Sequence, residues 1–172
     1  MILFFYCIFL QETYELEDCI IARLTETNIT STQSGTDNIV LLDNDFTANL
    51  PSKFEFSADI KTNINGARLL LGSKANASSV YYCIGSNRDS SRISAVHRST
   101  STSVWGISYS KDNDYHSFKF TRDNSSFTAY VDNTSQGSQT ISWFDNYTDY
   151  TLYIDVWQSG TIYVRNIKLK PL

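Results

Sequence analysis

The side chains able to do chemistry are few. There are two histidines, His97 and His116, and three cysteines, Cys7, Cys19 and Cys83. A nucleophilic triad needs a base beside Ser or Cys. His97 falls in an Arg/Ser-rich stretch expected to be exposed, His116 opens an alternating aromatic run, and no Gly-x-Ser-x-Gly frames a nucleophile. Cys and His do not recur at zinc-binding spacing either. Calcium would take Asp and Asn oxygens from loops. Asp43-Asn44-Asp45 and Lys111-Asp112-Asn113-Asp114 are the candidate loops, although such clusters also make ordinary turns. No cofactor is expected, with calcium in one of these loops as the alternative.

The other chemistry on offer is recognition by aromatic rings. Leu152, Ile154 and Val156 alternate with Tyr153, Asp155 and Trp157. If the first three point inward, the second three point outward. On the last strand, expected to be a neighbour, Tyr163 and Arg165 point outward by the same parity. Trp and Tyr beside Asp and Arg suit a sugar, because rings stack on its apolar face while charged groups bond its hydroxyls. Tyr81, Trp105 and Tyr109, with the basic group Arg88, Arg92 and Arg98, extend the candidate set. The competing reading is that these aromatics pack on a subunit, a neighbouring domain or residues 1–15, and Trp105 is equally suited to the core.

Such a face has to be built by strands. Period-2 alternation recurs in Phe54–Lys61, Ser117–Arg122, Ser126–Val131, Leu152–Trp157 and Ile162–Arg165. Turn signals separate these runs: Asn63–Gly66, Gly85–Asp89, Lys111–Asp114, Arg122–Ser125, Asp132–Thr134 and Gln158–Gly160. No window carries helical spacing over three turns. Only Glu12–Thr27 leaves helix and strand in competition, and strand is favoured. One dry and one wet face per strand imply antiparallel sheets packed face to face. The expected fold is therefore all-β: an antiparallel two-sheet β-sandwich, or jelly roll, of about a dozen strands.

Composition agrees. The chain has 172 residues, with 23 Ser, 17 Thr, 13 Asn, 11 Tyr and 10 Phe but only two Pro and one Met. That is the usage of a β protein with a hydroxyl-rich, aromatic surface. A net charge of −4, with no basic patch, argues against nucleic acid as a partner. The opening MILFFYCIFL has ten apolar residues, and a membrane-spanning helix needs about 20, so no membrane insertion is expected. It resembles the apolar part of a signal peptide, but no positive residue precedes it and no small-x-small site follows. Residues 1–15 are read as an apolar strand or part of a preceding region, with a signal segment as the alternative, and residues 16–172 as one domain. An odd cysteine count argues against a disulfide scaffold. Five Asn-x-Ser/Thr sequons begin at Asn28, Asn76, Asn124, Asn133 and Asn146.

Asp114–Asn133 (DYHSFKFTRDNSSFTAYVDN) resembles the hairpin of concanavalin A-like lectin/glucanase sandwiches, especially the laminin-G-like branch. Leu152–Pro171 is similar to the closing strands of that superfamily, and Leu50–Ile60 to an early strand. The resemblance implies core positions at Phe118, Phe120, Phe127, Ala129 and Val131, a structural role for His116, and loops that in some members hold calcium. The glucanase branch carries Glu-x-Asp-x-x-Glu or Glu-x-Asp-x-Glu on one strand to aim two carboxylates at a cleft. Here Glu55 and Asp59 share a face with Ser57 between them, so glycoside hydrolysis is disfavoured.

The fold serves lectins, enzymes, adhesins and virion parts alike. The expectation is a non-catalytic recognition module binding a cell-surface glycan, on a phage tail or baseplate protein or a surface adhesin. Its place would be the virion, the extracellular space or the cell surface. The alternative is a structural module assembling with other virion or surface subunits.

Overall fold

The computed structural model describes residues 21–23, 25–35, 38–42, 50–73, 80–87, 90–97, 101–106, 112–140 and 149–172. Thirteen strands run through them: β1 (Ile21–Arg23), β2 (Thr27–Ser31), β3 (Asn38–Leu41), β4 (Lys53–Lys61), β5 (Ala67–Ser73), β6 (Val80–Asn87), β7 (Ser90–His97), β8 (Ser101–Gly106), β9 (Tyr115–Asp123), β10 (Ser126–Val131), β11 (Thr134–Thr140), β12 (Tyr150–Val156) and β13 (Gly160–Pro171). No helix occurs among the described residues. The expected content and strand number are met. The reading of residues 1–15, the Asp43–Asp45 loop, and Arg88, Arg98 and Tyr109 lie outside the described residues.

The strands form two antiparallel sheets. One has seven strands in the order β1-β13-β4-β9-β10-β11, with β2 also paired to β13; the other has six, in the order β3-β12-β5-β6-β7-β8. Their inner faces share one core. Phe54, Phe56 and Ile60 of β4, Phe118 and Phe120 of β9, and Phe127, Ala129 and Val131 of β10 meet Leu69, Leu71, Tyr82, Leu152, Ile154 and Val156 from the opposite sheet. These are the positions that alternation assigns inward. At the centre the Tyr82 ring lies 5.3 Å from Phe120, 5.5 Å from Phe54 and 5.7 Å from Phe127. Its buried hydroxyl accepts a hydrogen bond from Arg122 Nη1 at 2.9 Å. Arg122 Nε donates to the Asn124 carbonyl at 2.8 Å, so this inward-facing cation is satisfied at the end of the core.

The turns follow side-chain chemistry. Asp132 and Asn133 have φ of 48° and 63°, the pair of left-handed residues that a tight two-residue hairpin needs. One expectation is refined and one is corrected. The Gly85–Asp89 signal does mark a reversal, since β6 and β7 run antiparallel with Asn87 opposite Ser90, but β6 runs through Asn87 and the signal begins inside the strand. Gly85 is there because a Cβ would stand 2.7 Å from the Ala67 carbonyl oxygen, a close approach of strands rather than a reversal. More consequentially, β12 and β13 are not neighbours. The Gln158–Ser159 link crosses from the six-stranded to the seven-stranded sheet.

Candidate functional site

That crossing divides the expected aromatic platform. Tyr153 and Asp155 point away from the core, as parity requires, on the outer face of the six-stranded sheet. Tyr163 and Arg165 do so on the outer face of the other sheet. The four residues do not share a surface.

Nor is the first group open. Tyr153 and Tyr81 are each 8% exposed and Asp155 is fully buried. Tyr153, Tyr81, Leu70 and Cys83 form a second apolar cluster with Ile39 against it. Beside it, Asp155 Oδ2 accepts from Arg68 Nε at 3.1 Å and also from Nη2, while Arg68 Nη1 donates to the Tyr81 hydroxyl at 3.3 Å. Burial raises the pKa of both tyrosines, for Tyr153 with help from Asp149 and for Tyr81 against the pull of Arg68. Alternation gives the side a residue faces, not whether that side is wet. Trp157 follows β12 and is partly exposed. Its amide donates to the Gly66 carbonyl at 2.8 Å and its carbonyl accepts from the Gly35 amide at 3.0 Å. A Cβ on Gly66, whose φ is +69°, would stand 2.4 Å from Trp157 Cβ. Trp105 sits in β8 opposite Ile93, and its side chain lies outside the described part.

The outer face of the seven-stranded sheet is different. Register sets side chains from β13, β4 and β9 in rows across it: Tyr163, Lys61 and Tyr115; then Arg165, Asp59 and Ser117; then Lys168, Ser57 and Lys119; then Lys170, Glu55 and Thr121. Between the second and third rows β13 bulges. Its register shifts between Arg165 and Lys168, and Asn166 takes a φ of 52°. The bulge lets Val164 and Ile167 both reach the core and so turns Arg165 and Asn166 outward together. The out-of-phase spacing of Ile167 and Leu169 against Ile162 and Val164 marks it in the sequence.

Here the face is hollow. A depression of ≈ 320 Å³ is lined by Ser57, Ala58, Asp59, Ser117, Asn166 and Lys168. Two serines, short side chains in mid-strand, make the space, and longer residues in the rows on either side make the walls. Asn166 Nδ2 donates to Asp59 Oδ2 at 2.7 Å, and Arg165 Nε stands 3.6 Å from the same oxygen. One wall is aromatic and cationic. The Arg165 guanidinium lies 3.8 Å from the centre of the Tyr115 ring, and Lys61 Nζ lies 4.3 Å from that of Tyr163 and 5.0 Å from that of Tyr115. The Tyr115 hydroxyl donates to Glu26. Partial burial, then that carboxylate, push its pKa up to about 12, so it stays a neutral donor. On the other wall Glu55 holds Lys119 at 3.6 Å and Lys170 at 3.8 Å.

Of the expected site residues, only Tyr163 and Arg165 border this groove. Asp59 enters the sequence reading only beside Glu55, as half of an incomplete carboxylate motif, and Asn166 is not among the candidate ligands there. Ser57, Ser117, Lys168, Lys61 and Tyr115 read there only as the wet half of alternating strands. The signal that gathers them is the strand order β13-β4-β9, which is not local. His116 is structural in geometry: its Nδ1 lies 2.7 Å from Asp132 Oδ2 and its Nε2 lies 3.2 Å from Asp112 Oδ1. In the 112–114 turn, Asp112 Oδ1 also accepts the Asp114 amide at 3.0 Å.

No protein-family model matches the sequence, and no curated protein does. Solved structures do match. The carbohydrate-binding module CBM66 from Bacillus subtilis aligns over 86% of this chain and 93% of its own, at 14% identity and a TM-score of 0.59. A β-glucanase from Bacillus licheniformis aligns over 86% and 78%, at 12% identity and 0.52. The binding domain of botulinum neurotoxin serotype D aligns over 89% of this chain and 42% of its own, at 14% identity and 0.52. At such identities the likeness is one of fold: the chain is an antiparallel two-sheet β-sandwich, an architecture shared by binding modules and enzymes.

Proposed function

We propose that the protein is a non-catalytic recognition module that binds carbohydrate in the groove over Asp59 and Asn166. The observation that carries this is the groove itself. Its volume stands at the small end of the range for ligand sites, about 300–1,000 Å³. It is lined by a carboxylate, an amide, an ammonium and two hydroxyls, and Tyr115 and Tyr163 stand at its border. Sugars present hydroxyls to such groups and C–H faces to such rings. The existence of a carbohydrate-binding module with this fold supports the reading.

Hydrolysis fits the site poorly. Glu55 and Asp59 are four residues apart on β4, or about 13 Å at roughly 3.3 Å per residue. Paired glycosidase carboxyls stand about 5–9.5 Å apart. The reading needs no cofactor. Its natural setting is a surface adhesin or a phage tail or baseplate protein that meets a cell-surface glycan.

A glycan array followed by titration calorimetry tests it. Ser117→Tyr fills the groove from a position that favours β-forming side chains. It should abolish binding while the melting temperature stays within a few degrees. Binding that survives Ser117→Tyr and Asp59→Asn places the site elsewhere. If no glycan binds and light scattering reports a stable oligomer, the module serves assembly instead.

A further inference from the structure

The polar groups of the groove differ from their neighbours in what they leave unbonded. Elsewhere on the same outer face hydroxyls bond one another: Thr30 Oγ1 and Thr161 Oγ1 at 2.8 Å, and Thr128 Oγ1 and Ser138 Oγ at 2.6 Å. Ser57 and Ser117 line the hollow from neighbouring strands. Among the described residues neither of their hydroxyls has a hydrogen-bond partner. Asp59 commits Oδ2 to Asn166 Nδ2 at 2.7 Å and to the more distant Arg165. Its Oδ1, and the Oδ1 of Asn166, bond to nothing among the described residues. The cations, by contrast, are engaged. Lys119 and Lys170 stand 3.6 and 3.8 Å from Glu55, and Lys53 stands 3.0 Å from Asp123. Arg165 lies on the Tyr115 ring and near Asp59, Lys61 lies over the rings of Tyr163 and Tyr115, and Lys168 has a partner as well. Asp132 Oδ1 accepts the Ser117 amide at 2.9 Å, which sets a second carboxylate next to the lining.

An anionic ligand would enter beside Asp59 and would have to draw a cation from a partner it already holds. A sugar hydroxyl meets neither obstacle. It donates to a carboxylate or amide oxygen and accepts from a serine. We infer that the groove takes a neutral glycan, its ring hydroxyls on Asp59 Oδ1, Asn166 Oδ1 and the two serines, and that Asp59 is the residue that turns acidic glycans away. The inference rests on the carbohydrate-binding reading and narrows it. Discrimination then comes from one group acting in both senses. The carboxylate that strengthens a bond from a hydroxyl repels a hexuronate carboxylate or a sulfate ester.

The test is calorimetry with the intact protein against pairs of oligosaccharides of matched length: galacto-oligosaccharide with oligogalacturonate, manno-oligosaccharide with oligomannuronate, and dextran with sulfated dextran. A neutral member should bind, and its affinity should hold as NaCl is raised from about 50 to 500 mM. Its acidic partner should bind about tenfold more weakly or worse. Ser117→Tyr should abolish the binding. Asp59→Asn keeps an oxygen for Asn166. It should weaken the neutral member about tenfold, the scale of one charge-assisted hydrogen bond, and narrow the gap to the acidic one. Glycan-array hits outside the pairs count in the same way, neutral ones for the inference and acidic ones against it. An acidic member that binds as well as its neutral partner and is lost in Ser117→Tyr overturns the neutral specificity while sparing carbohydrate recognition. A gap that Asp59→Asn leaves unchanged overturns the role given to Asp59. Silence from every pair and from the array removes the carbohydrate reading together with the inference. Binding unchanged by Ser117→Tyr places the site elsewhere and overturns both.

Discussion

The carboxylate of Asp59 accepts a 2.7 Å hydrogen bond from the side-chain amide of Asn166, a residue 107 positions away. The bond ties the straight strand β4 to the one place where β13 leaves its register. It orients the amide and the carboxylate at the floor of the groove, so backbone irregularity and ligand chemistry meet in one contact.

Asn166 should therefore separate two roles. Its φ of 52° favours Asn or Gly and penalises β-branched residues. Asn166→Gly should stay within about 1 kcal/mol of wild type, since Gly adopts that conformation freely but gains chain entropy when unfolded. Asn166→Val should lose about 2 kcal/mol or more, from left-handed strain with a branched side chain. Urea unfolding of the two variants decides. Equal stability would mean that the bulge can move along the strand.

The Arg68–Asp155 pair should behave as a buried ion pair. Both side chains are nearly or wholly inaccessible, so Asp155→Ala should cost about 3–5 kcal/mol by leaving a buried guanidinium without its counter-charge. Replacing both, Arg68→Met with Asp155→Leu, should recover most of that loss. A double-mutant cycle in guanidinium chloride measures the coupling, and additive losses would show that the two charges act independently.

His116 sets a pH dependence. Burial pulls its pKa down, but its contacts with Asp132 and Asp112 more than offset this and leave it raised. A raised folded pKa means that the imidazolium stabilises the fold fully below the unfolded value, about 6.5. That contribution is lost as pH rises through the folded pKa. Unfolding free energy should thus fall from about pH 6.5 upward, and His116→Gln should flatten that limb. An identical slope in the variant would assign it to another group.

Phe120 lies with ring centroids 5.3–5.7 Å from Tyr82, Phe56 and Phe54. Phe120→Ala should cost about 3–5 kcal/mol. A loss below about 1 kcal/mol, which is ordinary for a surface change, would contradict its central place.

The features legible in the sequence are those that depend on one strand at a time. Phe118, Phe120 and Phe127, or Leu152, Ile154 and Val156, declare their face by alternation. Asn166 declares a bulge by the phase of the apolar residues around it. Partnership between strands is not written locally. The short Gln158–Ser159 link reads as a hairpin turn, and only the pairing of β13 with β4 shows that it changes sheets. Asp155 reads as a wet residue because its partner, Arg68, meets it through the register of β12 with β5. The groove escaped notice for the same reason. Ser57 and Ser117 form a hollow only once β4 and β9 are side by side.

The placing of β13 also bears on how the protein is made. This strand hydrogen-bonds to β1, β2 and β4, all of which a ribosome delivers long before residue 160. Until β13 arrives, those earlier strands cannot complete their sheet, and Ile60 and Ile29 lack the cover of Ile162 and Val164. A nascent chain therefore carries open strand edges beside apolar surface, the condition in which aggregation competes with folding. The topology predicts that the sandwich closes by late insertion of β13, with slow folding governed by long loop closure; pulsed hydrogen exchange during refolding should then show the amides of β13, and with them the Asn166 and Lys168 part of the groove, protected last.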